Sequence, residues 1–285
     1  PEWRPLDHAV EAARTSADLS AVTPVGLDET AARRGLAYFA ILTVIGAELG
    51  MDAAAGRSAE VVARFADDLE AHGGCAENVQ AVCIDMSASY RAGIDTHLPW
   101  ATVTFDEFHV IQLLNKAVDA VRRAEVKSTP LLKRTRYTWL KDTHAWTTRQ
   151  TLQDHDLRRL NLKPVRAFRI KEALRAIFRT APDRASAEPL LQRWTSWARR
   201  CRLEPIKQVA KTLKAHWEGI LNAFDSRLTN ARVEAANALI QAAKAKARGY
   251  ATTRHLITIA YLVAGKLAHL PASPFATAAA ASRQA

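Results

Sequence analysis

The chain has 285 residues, of which 48% are hydrophobic and 24% charged, and a formal net charge of +11. That composition excludes a disordered or fibrous chain, and the length suits one large domain or two ordinary ones. The longest apolar run, AYFAILTVIGAEL, breaks at Glu48, too soon to span a membrane, no signal peptide is legible, and Cys75, Cys83 and Cys201 are too scattered for a disulfide framework or a structural zinc site, so a reducing cytoplasm is expected.

In chain order, TPVGLDETAARRGLAYFAILTV reads as a short strand, a basic turn and a second strand rich in β-branched and aromatic residues, with Asp28 ending the first run. GRSAEVVARFADDLEAHGG predicts an amphipathic helix with Ser58 as N-cap and Gly73 and Gly74 as its stop. VQAVCID is a buried strand ending in Asp85; after a short helical piece and Pro99, WATVTF is another strand, followed by a helix with Val110, Leu114, Ala117 and Val121 on its apolar face. Strand, strand, helix, strand, helix, strand, helix is the order of a mixed α/β sheet with helical cover. Strands then cease, and Lys127 to Phe224 reads as a helical insertion. ARVEAANALIQAAKAKARGY is a helix capped by Thr229 or Asn230 and ended by Gly249, with Glu234 its one acid. HLITIAYLVAGKL closes the pattern, and an Ala-rich tail is expected to be disordered.

Charge is unevenly placed. Between Arg122 and Thr180 there are sixteen Lys and Arg against five Asp and Glu, an excess as large as that of the whole chain. Such a segment favours phosphate contact, with binding that weakens steeply in salt. KRTRYTWLK interleaves cations with Tyr137 and Trp139, which can pack in a core or stack on bases.

Three carboxylates stand at positions where a mixed sheet could gather them: Asp28 and Asp85 at strand ends and Glu234 on a helix beyond the insertion. Converging carboxylates repel unless a cation joins them, and hard divalent ions take oxygen ligands. Two such ions about 4 Å apart suit phosphodiester chemistry, which implies a nucleic acid substrate. By pattern alone the aspartates read first as strand-end turn residues and Glu234 as a solvated helix acid.

GLDETAARRGLAYF, VCIDMSASYRAGIDTHLPWATVTFDEFHVIQLLNKAVDAVRR, LLKRTRYTWL, RIKEALRAIF, LEPIKQVAKTLKAHWEGILNAF and TNARVEAANALIQAAKAKARGY, in that order, resemble the DDE catalytic domain of bacterial insertion-sequence transposases of the ISL3 family, from about residue 22 to about residue 268. The resemblance implies an RNase H-like mixed sheet flanked by helices and interrupted by an all-helical insertion. It implies two-metal cleavage and strand transfer of DNA with Mg²⁺, for which Mn²⁺ can substitute, and Asp28, Asp85 and Glu234 as catalytic and metal-binding residues, with Glu29 and Asp52 as alternatives to the first. Implied boundaries are a remnant of an N-terminal DNA-binding region or linker over 1–21, the core over 22–126, the basic insertion over 127–225, the final core helices over 226–268 and the tail over 269–285. The family's N-terminal zinc-binding and helix-turn-helix segments are not in this sequence, and Pro1 in place of a methionine implies an upstream segment removed.

In TFDEFHV, Asp106 and His109 form a DxxH pair like one carried by related transposases at this place, with a spacing that lets the histidine bond the aspartate and brace the strand-to-helix junction. Arg122, Arg123, Lys133, Arg134, Arg136, Lys244, Lys246 and Arg248 are expected to hold DNA. The expected partners are double-stranded DNA, as transposon ends and target, and further copies of the chain on that DNA, at the nucleoid and with no membrane. The alternatives are a catalytically silent DNA-binding fragment and a structure-selective nuclease on the same fold.

Overall fold

The computed structural model of the protein describes residues 3–33, 37–45, 51–56, 58–267 and 270. Glu48, most of the basic turn and the Ala-rich tail apart from Leu270 lie outside the described residues. The chain divides into two compact units, Pro1–Val103 with Thr229–Ala285, and Thr104–Leu228.

The first unit opens with α1 (Trp3–Thr15), followed by β1 (Pro24–Arg33), β2 (Ala37–Val44), β3 (Met51–Ala55), α2 (Glu60–Ala71), β4 (Ala81–Ile84) and α3 (Ala88–His97). With β5 (Thr102–Phe105), which leads the chain into the second unit, the strands form a sheet in the order β3-β2-β1-β4-β5. The first three strands are an antiparallel meander, and β4 joins β1 in parallel, Pro24 level with Ala81 and Gly26 with Cys83. A parallel neighbour needs a crossover, and α2 supplies it.

Strand β3 is absent from the sequence reading, because MDAAA is poor in strand formers. Its partner decides the matter: β2 is buried from Phe39 to Val44, and its unmet backbone groups pair Phe39 with Ala55 through Thr43 with Met51. The small side chains leave room for the helix over them, and Ala53 shares a core with Phe39, Ile41, Leu256 and Ala260. Helix α2 starts one residue later than expected: its N-cap is Ala59, and the Ser58 hydroxyl turns to Glu60 at 3.3 Å. Its end is as read, with Gly73 at φ +77° and the Gly74 amide on Leu69 O at 2.9 Å.

The second unit is helical: α4 (Glu107–Glu125), α5 (Arg136–Leu140), α6 (Thr148–Arg158), α7 (Lys163–Thr180), α8 (Arg184–Arg200), α9 (Glu204–Ala215) and α10 (Trp217–Ser226). The sequence reading placed α4 with the sheet up to residue 126, yet its apolar face packs on α5, α7 and α9. Trp139 and Trp194 fill the interior and still satisfy their indole N–H groups, on Thr135 Oγ1 at 2.9 Å and Ile170 O at 2.8 Å. After this unit α11 (Ala231–Lys246) and α12 (Thr253–Ala264) return to the first, where Val233, Ala236 and Ile240 join the core over the sheet.

Candidate active site

Helix α11 lies along β1 because the strand is bare where they meet. A Cβ on Gly26 would come within 2.7 Å of Asn230 Oδ1 and 2.8 Å of Val233 Cγ2, so only glycine permits this approach. Asn230, expected as a cap through its side chain, instead donates from Nδ2 to Leu27 O at 3.3 Å and ties the start of the helix to the strand. Beyond it, Asn237 Nδ2 donates to Asp28 Oδ2 at 2.9 Å, Gln241 Nε2 to Thr30 Oγ1 at 2.7 Å, and Lys244 Nζ to Ala31 O at 2.7 Å. Val233, Asn237 and Gln241 thus meet Gly26, Asp28 and Thr30. The match is metric: four helical residues advance about 6 Å and two strand residues about 6.6 Å, so the pairs stay in step.

Glu234 follows Val233 and precedes Asn237 by three residues, which puts the half-buried acid on the stretch of α11 that spans Gly26 to Asp28. Asp28 is held twice, by Asn237 on Oδ2 and by the Glu29 amide on Oδ1 at 2.8 Å. The parallel register of β1 and β4 runs from Pro24 opposite Ala81 to Gly26 opposite Cys83 and stops two residues short of Asp28 and of Asp85. The ladder ends at Gly26 and Cys83, and Asp85 turns out of it, its Oδ1 accepting from the Ser87 amide at 2.9 Å and its Oδ2 taking no protein partner among the described residues.

The two alternatives to Asp28 stand elsewhere. Glu29, the next residue on the strand, alternates to the opposite face. Asp52 is on β3, two strands away, where its Oδ1 accepts from Tyr261 Oη at 2.7 Å and meets Arg14 Nη2 at 3.3 Å. Burial, then the neighbouring Asp68, raise the Asp52 carboxyl above the ordinary carboxylate range.

Asp106 is the N-cap of α4 and accepts from the Phe108 amide at 2.9 Å. His109 has a buried Nε2 with no hydrogen-bond partner among the described residues. Of the residues expected to hold DNA, Arg123, Lys133, Arg134, Arg136, Lys246 and Arg248 are exposed. Arg122 is drawn to Asp119 at 2.7 Å, and Lys244 is engaged on the Ala31 carbonyl. Tyr137 is 60% exposed, while Trp139 is core. Gly26, Asn230, Asn237 and Gln241 were not singled out as site residues by sequence reasoning; the available signal was the row of uncharged amides on the face of the helix that carries its one acid.

Among the described residues no helix is long and apolar enough to cross a membrane, and the three cysteines are free. The chain is 26% identical over 245 residues to the transposase for insertion sequence element IS1001 of Bordetella parapertussis, covering 82% of this chain and 59% of that protein. It is 26% identical over 276 residues to the transposase for insertion sequence element IS1557 of Mycobacterium tuberculosis, covering 87% of this chain and 61% of the other. The chain therefore spans about three fifths of the length of these curated relatives. A solved Drosophila P element transposase strand transfer complex aligns with 92% of this chain and 81% of its own, at a TM-score of 0.45 and 11% identity. The mixed five-stranded sheet with its helical cover is RNase H-like in order, and the family model described as Transposase, the DDE type of ISL3 elements, matches residues 25–260, from the first strand to the last helix. With most of its length inside that match, this chain belongs to the ISL3 family of DDE transposases.

Proposed function

We propose that the chain is the catalytic domain of a DNA transposase that cleaves insertion-sequence DNA and transfers its strands, with Asp28, Asp85 and Glu234 holding two divalent cations, Mg²⁺ in preference. The observation that supports this reading is the seam of α11 on β1, which lays the stretch of helix carrying Glu234 along the strand that carries Asp28. The donor set fits a hard cation: it is all carboxylate oxygen, its two aspartates are oriented by amide donors, and Asp85 Oδ2 is left to an outside ligand. Such ions, when bound, would activate the attacking oxygen and stabilise the leaving oxygen of a phosphodiester. The protein's own part is to hold the oxygens in place before the substrate arrives. Asn237 fixes one Asp28 oxygen, the Glu29 and Ser87 amides fix one oxygen on each aspartate, and Gly26 lets the glutamate helix come close.

DNA is held, in this proposal, by phosphate contacts from Arg123, Lys133, Arg134 and Arg136 on the helical unit and from Lys246 and Arg248 at the end of α11, all exposed. Arg122 and Lys244 belong to the set in second place, since each already serves a protein acceptor. Asp106 and His109 support the start of α4.

The test is strand cleavage of pre-nicked transposon-end DNA in Mg²⁺ or Mn²⁺. Asp85→Asn and Glu234→Gln are expected to lose cleavage and keep DNA affinity; cleavage unchanged in either would overturn the assignment.

A further inference from the structure

Between α7 and the end of α8 is a cavity of about 430 Å³ lined by Arg166, Arg169, Trp197, Arg200 and Arg202, with Ile170 and Cys201 completing it. Its size is that of a small-ligand site. Arg166 and Arg169 are three apart on α7 and so share a face, and Arg200 and Arg202 flank the C-cap of α8 at Cys201. Arg202 has φ +57°, a conformation that glycine would adopt without strain. None of the four guanidinium groups has an ion pair among the described residues, and the buried Asp154, which feels the charge of Arg169, is already bonded to Arg158 at 2.5 Å.

Trp197 distinguishes this cavity from an ordinary basic surface. One turn earlier Trp194 is 3% exposed and pins α8 to α7 through Ile170 O, whereas Trp197 is 44% exposed at the cavity's edge. Four cations without a carboxylate among the lining residues call for an anion with several oxygens, and planar guanidinium groups suit phosphate. An aromatic face on the same wall calls for a flat partner. A base inside a duplex has both faces covered by its neighbours, so a tryptophan face can be met only by a base out of the stack.

We propose that this cavity takes one unstacked nucleotide of single-stranded DNA, with its base on Trp197 and its phosphate among Arg166, Arg169, Arg200 and Arg202. The site deepens the transposase reading, since it rests on DNA being the substrate, and gives the helical unit a hold on a strand end or melted segment.

The test compares binding of a fluorescein-labelled oligo(dT) and of a labelled duplex by anisotropy, for the whole chain and for Trp197→Ala, Trp197→Phe, Arg200→Gln and Arg166→Gln. Trp197→Ala is expected to weaken oligo(dT) binding about 5- to 100-fold, with duplex binding changed less than twofold and with Trp197→Phe restoring most of the loss. Each arginine variant is expected to reduce the salt dependence of oligo(dT) binding by about 0.7 in log–log slope. Equal losses on both DNAs, no loss on either, or polyglutamate competing as well as unlabelled oligo(dT) would overturn the nucleotide site. These results would leave the transposase reading standing if duplex binding and Asp85-dependent cleavage persist. A chain that binds neither DNA and cleaves none would overturn both. The variants concern exposed side chains, and unchanged melting temperatures separate lost binding from lost folding.

Discussion

Two groups of carboxylates in the first unit are held in opposite ways. On the edge strand β3 and on α2, Asp52 and Asp68 share one arginine: Arg14 Nη2 lies 2.6 Å from Asp68 Oδ1 and 3.3 Å from Asp52 Oδ1, its guanidinium 4.5 Å from the centre of the Tyr261 ring. On the central strand β1 and at the end of β4, Asp28 and Asp85 accept from neutral amides, Asn237, Glu29 and Ser87. An arginine neutralises the acids it bonds and makes them structural, joining α1 to the sheet. Amides orient an acid and leave its charge available to a cation from outside, and that distinction separates a brace from a candidate metal centre.

The sharpest way to break the comparison is to exchange the loss each group suffers. Removing charge from the amide-held set, by Asp28→Asn or Asp85→Asn, is expected to abolish cleavage while the melting temperature stays near that of the parent, measured on the same preparation. Removing the cation from the other set, by Arg14→Met, is expected to cost up to about 3 kcal/mol of stability in urea denaturation, because two part-buried acids lose their counter-charge. That deficit should shrink as pH falls toward 4. The folded-state carboxyl of Asp52 is raised, so the folded chain takes up its proton before the unfolded chain does, and stability is regained on acidification. An Arg14→Met chain as stable as its parent at pH 7 would show the brace to be idle.

A weaker effect tests the positioning role. Asn237→Ala removes the donor to Asp28 and leaves the carboxylate, so cleavage is expected to fall about 10- to 100-fold, with a higher Mg²⁺ midpoint and partial recovery in excess Mg²⁺. A loss that added Mg²⁺ does not relieve would assign Asn237 to packing alone. A last test concerns a buried ion in the helical unit. Lys171 is fully buried, its Nζ on Trp139 O at 2.6 Å and 3.4 Å from Glu172, and burial pushes its ammonium down to about 8. Between about pH 8 and the ordinary lysine value of 10.5 the unfolded chain holds this proton and the folded chain does not, so stability rises with pH there. The parent is expected to gain on Lys171→Met across that window in urea melts at a series of pH values, and parallel curves would show the lysine to be unperturbed.

Local pattern carried most of the elements. Val61, Val62, Phe65 and Leu69 mark α2 by spacing, and a glycine pair ends it, since φ +77° at Gly73 is open to few other residues. The end of β4 before Asp85 and the helix around Glu234 were legible for the same reason, whereas the strand read as ending at Asp28 runs on to Arg33, and a set of motifs in one order pointed to the family. Strand β3 was not legible, because alanines have no preference strong enough to announce a strand and only the open edge of β2 recruits them. Nor was the division at β5, since an amphipathic helix such as α4 shows that it has a partner and not which one.

The same limit applied to the polar face of α11. In the sequence, Asn237, Gln241 and Lys244 share the face of Glu234 and nothing there says what they meet; in the fold they are the seam that lays the helix on β1. Side-chain chemistry and periodicity are local, so the chain announces carboxylates, cations and helices by itself. Which carboxylate receives an arginine and which an amide depends on strand order and on the close approach that Gly26 permits. Those are contacts between residues about two hundred positions apart, and only tertiary packing selects them.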